Sequence, residues 1–177
     1  MRKIPVDERA IRAIMLRLNV LKDGTSNGYD VSFNRIVRMR AIVPTEMVLD
    51  PPELHIIGGA LLEPTFGEAA RRGAAFQWFY SFPITVVFYA KIATTDPDLE
   101  YRIYKSEIVR CLLGSEILDV HNRQVVLQPN NVPILDMPTY YDGPVGYVSG
   151  VIQFSIGVTF EQDDMRLYDG ADTMVDE

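Results

Sequence analysis

Two histidines, one cysteine and a few paired acidic residues are all that this 177-residue chain offers for side-chain chemistry. His55 stands among Leu54, Ile56 and Ile57, and His121 opens His121-Asn122-Arg123. Neither has a second histidine or a cysteine at ligand spacing. Zinc needs three or four such donors, so each His reads as a strand or turn residue. Asp163-Asp164 and the pair Asp96/Asp98 are carboxylates of the kind that hold hard cations. The first pair opens an acidic stretch, however, and the second starts a helix, where negative charge favours the dipole. Gly58-Gly59 lacks the G-x-G-x-x-G spacing of a nucleotide loop, and neither a P-loop nor a Gly-x-Ser-x-Gly elbow occurs. The expectation is a protein with no catalytic residues, no cofactor and no metal.

Three features exceed what a monomer's core needs. Arg38 and Arg40 stand on the polar side of a strand-like segment, Arg71-Arg72 forms a basic pair, and Trp78-Phe79-Tyr80 is a dense aromatic run. Arginines and aromatics are the types enriched at protein interfaces. A salt-bridged sheet surface with a locally packed aromatic loop would account for them as well.

The elements that must position these residues follow from periodicity. Ile11, Ile14, Met15, Leu18 and Leu21 make one apolar stripe on a helix over residues 7–22, with Arg9, Arg12 and Arg17 elsewhere on its surface. Pro5, a cap at Asp7 and a stop at Gly24 bound it. Residues 29–43 alternate as an antiparallel strand, with an apolar odd face and Arg38 and Arg40 on the even face. A short strand covers residues 54–57. Residues 60–81 read as an extended hairpin or loop protruding from the sheet, in which residues 68–72 could form one helical turn. Alternation resumes over residues 82–92, with Phe82, Ile84, Val86, Phe88, Ala90 and Ile92 on one face. A second helix is bounded by Asp96, Pro97 and Gly114. Its stripe is Tyr101, Tyr104, Ile108, Cys111 and Leu112, so Cys111 reads as a small buried hydrophobe.

Short strands are expected at residues 117–120 and 125–127, then a proline-rich link. The last strand, over residues 146–160, places Val148, Ile152, Phe154, Ile156 and Val158 on its core face and Ser149, Gln153 and Ser155 on the other. Two helices without regular strand alternation argue against a doubly wound fold. The fold class is α+β: an antiparallel or mixed sheet of four or more strands, two amphipathic helices on one face, and a protruding loop or hairpin. The domain covers residues 1–161, followed by an acidic extension over residues 162–177. No internal repeat or low-complexity segment interrupts it.

Charge narrows the partners. The net charge is −7, and residues 161–177 contribute seven acids against one arginine, leaving the body near neutral. General nucleic-acid binding relies on neutralising phosphates, which this chain is poorly equipped to do. The extension reads as a solvated tail or as an arm anchored on a neighbouring subunit by Met165, Leu167 and Tyr168. No apolar run approaches the roughly 18 residues of a membrane span, and Met1-Arg2-Lys3-Ile4-Pro5 lacks the apolar core of a signal peptide. One cysteine cannot form an internal disulfide, which fits a reducing compartment.

The order of these motifs resembles the tail terminator, or tail completion, proteins of tailed bacteriophages. The resemblance runs from the first helix through Gly28-Tyr29 and Val37-x-Arg, Leu54-His55-Ile56-Ile57-Gly58, Ile84-Thr85-Val86-Val87-Phe88 and the second helix. It ends with Val151-Ile152-Gln153-Phe154-Ser155-Ile156-Gly157-Val158-Thr159-Phe160, and covers about residues 5–161. It implies a virion structural protein of the neck, a homohexamer forming a ring on the tail tube protein. Such a ring stops tube growth and meets the head-tail connector or stopper protein, with DNA crossing the lumen unbound. On that implication Arg38, Arg40, Trp78, Phe79 and Tyr80 are subunit-interface candidates, and Arg71 and Arg72 are lumen candidates. Residues 60–81 and the acidic extension depart from the pattern. The alternatives are a head-completion or adaptor protein of the neck and, from a different class, a small ligand-binding α+β domain.

Overall fold

A computed structural model describes residues 3–39, 50–58, 65–72, 75–93, 95–114, 116–117, 125–128, 139–141, 146–161 and 166–168. The strands are β1 (Lys3–Pro5), β2 (Arg35–Met39), β3 (Glu53–Gly58), β4 (Thr65–Arg72), β5 (Ala75–Lys91), β6 (Val125–Gln128), β7 (Thr139–Tyr141), β8 (Tyr147–Glu161) and β9 (Arg166–Tyr168). The helices are α1 (Val6–Leu18) and α2 (Pro97–Leu113). Among the described residues, seven strands form one mixed sheet in the order β2-β3-β5-β8-β6, with β4 also on β5 and β7 also on β8. Of these strands β2 and β3 run parallel, and the other pairs described are antiparallel. β1 and β9 make a separate two-stranded ladder, which ties Arg166–Tyr168 of the extension to Lys3–Pro5. The α+β class, the mixed sheet and the two helices match the expectation.

Both helices lie on one face of the sheet. Ile11, Ile14, Leu18 and Leu21 from the N-terminal helical segment meet Leu54, Ile56, Ile84, Val86, Phe88, Ile152 and Ile156 in one core, which Tyr101, Ile108 and Cys111 of α2 close. Gly150 makes the close approach of α2 possible. A Cβ there would stand 2.4 Å from both Phe88 Cζ and Tyr101 Cε2, the rings of a stacked pair with centroids 5.5 Å apart.

α2 keeps its expected ends: Asp96 accepts a hydrogen bond from the Leu99 amide, with proline in the first turn. α1 begins one residue early, with Pro5 at the cap position and Asp7 inside the first turn. Beyond Leu18 the chain tightens into 3-10 turns at Asn19–Asp23 and Thr25–Asn27, and Gly28, at φ 81°, takes the left-handed conformation that reverses it. The C-terminal turns of the two helices hold each other. Arg17 Nε donates to the Cys111 carbonyl at 2.6 Å, and Cys111 Sγ donates back to the Arg17 carbonyl at 3.4 Å.

Several expectations are corrected. Residues 29–34 are not strand: the Tyr29 and Phe33 amides bond to the Gly24 and Leu21 carbonyls, so alternation there reports burial of Val31 and Phe33 against the helical turns. Within β2 the core-facing residue is Ile36, on the even face with Arg38, while Met39 packs against a second cluster of Ile57, Val87 and Tyr89. The sheet centre is buried on both faces, so apolar character alone could not distinguish them. β2 also pairs parallel, not antiparallel. Arg9, expected on the surface, is 1% exposed. Residues 68–72 belong to β4 and form no helical turn, and the proline-rich link contains β7. Ile117 is not in a strand; residues 118–120 lie outside the described residues, and β6 begins at Val125. In β8, Val148, Ile152, Ile156 and Val158 are buried as expected, whereas Phe154 is half-buried.

Candidate functional site

Of the seven arginine and aromatic positions singled out in the sequence, the six among the described residues do not converge. Arg38 sits on edge strand β2, where its guanidinium donates to both carboxylate oxygens of Glu8 on α1 at 2.5 Å. Arg12 Nε reaches the same carboxylate at 3.2 Å. Burial opposes ionisation of Glu8 more than any other single influence. The two arginines together outweigh it and hold the carboxyl below its ordinary value. Arg38 thus joins sheet to helix within one chain. Arg40 lies outside the described residues.

The other five positions share one hairpin. Arg71 and Arg72 of β4 pair in register with Phe76 and Ala75, and Phe79 and Tyr80 of β5 pair with Gly67 and Phe66. Across the other side of β5, Trp78, Phe79 and Tyr80 pair with Phe160, Thr159 and Val158 of β8. Arg38 aligns through Ile56 with Val86. Eight positions of β5 then separate it from Trp78, about 26 Å at roughly 3.3 Å per residue. Two separate surfaces result, one at the β2 edge and one at the far end of β5 and β8. The aromatic run is therefore part of a paired strand, with partners on both sides.

A third arrangement was missed in the sequence. Glu53 and His55 are two residues apart on β3 and so point to the same face, the one opposite the helices. Glu53 is 0% and His55 2% exposed. His55 Nε2 lies 2.8 Å from Glu53 Oε2, while Glu53 Oε1 accepts the Asp50 amide at 2.7 Å. Arg35 Nη1 of β2 stands 3.6 Å from Glu53 Oε2. The imidazole rests against Tyr89, ring centroids 5.0 Å apart, and Tyr89 meets Tyr147 edge-on. His55 Nδ1 is buried with no hydrogen-bond partner among the described residues. In a neutral ring, donation to a Glu53 carboxylate puts the proton on Nε2 and leaves Nδ1 as an acceptor. The signal available in the sequence was a Glu-x-His inside an apolar strand, where two polar side chains sharing a face must satisfy each other. His121 lies outside the described residues.

A further polar cluster fastens the turn after α1 to α2. Arg110 donates to Glu107 Oε2 at 2.5 Å and to the Gly28 carbonyl at 2.7 Å, and its guanidinium lies 4.7 Å from the centre of the Tyr29 ring. Glu107 also accepts the Asp30 amide at 2.9 Å. Burial pushes the Cys111 thiol up, which suits a packing role and not a nucleophile. Tyr104 is pushed up to about 12, first by burial and then by the charge of Glu100.

Among the described residues no three His, Cys, Asp or Glu side chains are grouped to hold a metal ion, and no helix is long and apolar enough to cross a membrane. No protein-family model matches the chain, and no curated protein matches it.

Proposed function

We propose that this chain is a virion structural protein, a tail terminator subunit that closes into a ring at the head-proximal end of a phage tail tube. The observation that carries the reading is the β5–β8 ladder. Fifteen residue pairs run from Gln77–Glu161 to Lys91–Tyr147, about 50 Å of strand, far beyond the usual five or six residues. One half is backed by the helices. The other half carries the Trp78-Phe79-Tyr80 positions and runs beside β4, which ends in Arg71-Arg72. A long, stiff two-stranded spine with an arginine- and aromatic-rich end suits head-to-tail contact between copies, the geometry that closes rings.

In this reading the hairpin and the β2 edge meet neighbouring subunits. The tail tube protein and the connector or stopper bind the ring's two ends, and DNA passes through without specific contact. The near-neutral body suits a channel that must not grip its cargo. Electron microscopy of assembled particles tests the proposal: the chain should occupy the neck with rotational symmetry, in contact with the tube. Location on the head side alone would make it an adaptor. Absence from the particle would reject both.

A further inference from the structure

The sequence contains one Asn-Gly pair, Asn27-Gly28, and it closes the second 3-10 turn after α1. Asn27 is exposed to solvent, and Gly28 carries the left-handed backbone that ends the turn. Asn27 Nδ2 donates to the Val20 and Asp23 carbonyls, both at 3.0 Å, and so satisfies two acceptors of the preceding 3-10 turn. The Gly28 amide donates to the Thr25 carbonyl at 3.4 Å, and Arg110 of α2 holds the Gly28 carbonyl at 2.7 Å.

The two residues carry groups that react with each other. The Gly28 nitrogen gives its proton to water and attacks Asn27 Cγ. The new N–C bond closes a five-membered succinimide, the Cγ–Nδ2 bond breaks, and Nδ2 leaves as ammonia. Water then opens either ring carbonyl to give aspartate or isoaspartate, with no change of oxidation state. Glycine hinders the attack least, having no Cβ. The native turn opposes it. The succinimide ring includes the Cα–C bond of Asn27 and forces ψ to about −120°, against about −20 to −30° in a 3-10 turn. Ring closure therefore requires the turn to open and the two Asn27 side-chain bonds to break.

We infer that Asn27-Gly28 is a deamidation site gated by this turn: the closed turn holds the reaction off, and each opening releases it. The product does not restore the loop. A carboxylate cannot donate to the Val20 and Asp23 carbonyls, and isoaspartate also lengthens the backbone by one carbon beside the carbonyl that Arg110 holds. The modification thus loosens the turn after α1 from α2, and it does so irreversibly.

The reaction belongs to the chain itself and is independent of any place in a phage neck. Tryptic mapping of the full chain by mass spectrometry, during incubation at mildly alkaline pH, tests it. The fragment of residues 23–35 carries both Asn27 and Asn34. In urea Asn27 should deamidate well ahead of Asn34, which precedes Arg35. In the native protein its rate should fall at least about tenfold, as for a turn closed more than about nine-tenths of the time. Asn27→Asp puts the carboxylate in place directly. It should speed hydrogen exchange at the Tyr29 and Phe33 amides, which bond to the Gly24 and Leu21 carbonyls, at least about tenfold. The inference is overturned if Asn27 reacts equally fast folded and unfolded, if it does not outpace Asn34 in urea, or if Asn27→Asp leaves those amides as protected as in the parent.

Discussion

His55 Nε2 lies 2.8 Å from Glu53 Oε2 on the sheet face opposite the helices, with both side chains shut away from water. Removing the carboxylate leaves a buried imidazole without its partner. Glu53→Ala should cost about 1–3 kcal/mol in urea unfolding, and Glu53→Gln, which keeps an acceptor, clearly less. Nitrogen NMR of the imidazole should report the Nε2–H tautomer. A proton on Nδ1 in the neutral ring would show that the pair is arranged otherwise.

The reciprocal bond between Arg17 and Cys111 makes each helix the cap of the other. Carbonyls in a helix's last turn lack intrahelical donors, and a cation is favoured there. Arg17→Ala should lower stability by about 1–3 kcal/mol, as expected for a charged donor. Arg17→Lys should restore only part, because an ammonium lacks the planar fork of the guanidinium. Denaturant midpoints of the three proteins would rank them.

Gly150 separates two opposing expectations. Local strand preference alone makes Gly→Ala stabilising by about 0.5–1 kcal/mol. Packing predicts the reverse, since the added methyl would meet Phe88 and Tyr101 at 2.4 Å. Gly150→Ala should therefore destabilise by about 1–3 kcal/mol and alter the near-ultraviolet aromatic signal. A more stable variant would show that α2 sits farther from β8.

Glu8 gives stability a dependence on pH. Its folded-state carboxyl titrates below the ordinary value of 4.5, so its ionised form is favoured by folding. The contribution is present above that value and is lost as pH falls through the lower, folded-state value. Glu8→Gln should be less stable than the parent at neutral pH, and the two should converge on acidification. Parallel unfolding curves from pH 7 to pH 3 would check this; a gap that widens in acid would contradict the sign.

Much of the fold was legible because its signals are local. Asp96, Pro97 and Gly114 mark the ends of α2 through cap geometry within one turn of chain, and the structure places the helix there. The alternation of β8 named Val148, Ile152, Ile156 and Val158 as core because a strand's side chains change face at every residue. Where a segment's conformation is set by a neighbouring element and not by its own pattern, the reading failed. Residues 68–72 have helix-forming composition yet are strand, because β5 supplies their backbone partners. Residues 29–34 alternate yet are not strand, because the helical turns supply theirs.

The candidate site divides in the same way. The sequence by itself determined which residue types were present and which were missing: two histidines, one unpaired cysteine, no nucleotide loop, and an arginine and aromatic surplus. Only the tertiary structure decided how they group. It ties Arg38 to Glu8, separates it from Arg71, Arg72 and the aromatic run, and joins Cys111 to Arg17. It also buries Glu53 and His55 as a pair. Periodicity says which way a side chain faces relative to its own element, but burial and charge pairing depend on what lies opposite. Those neighbours come from strands and helices tens of residues away, and only folding brings them there.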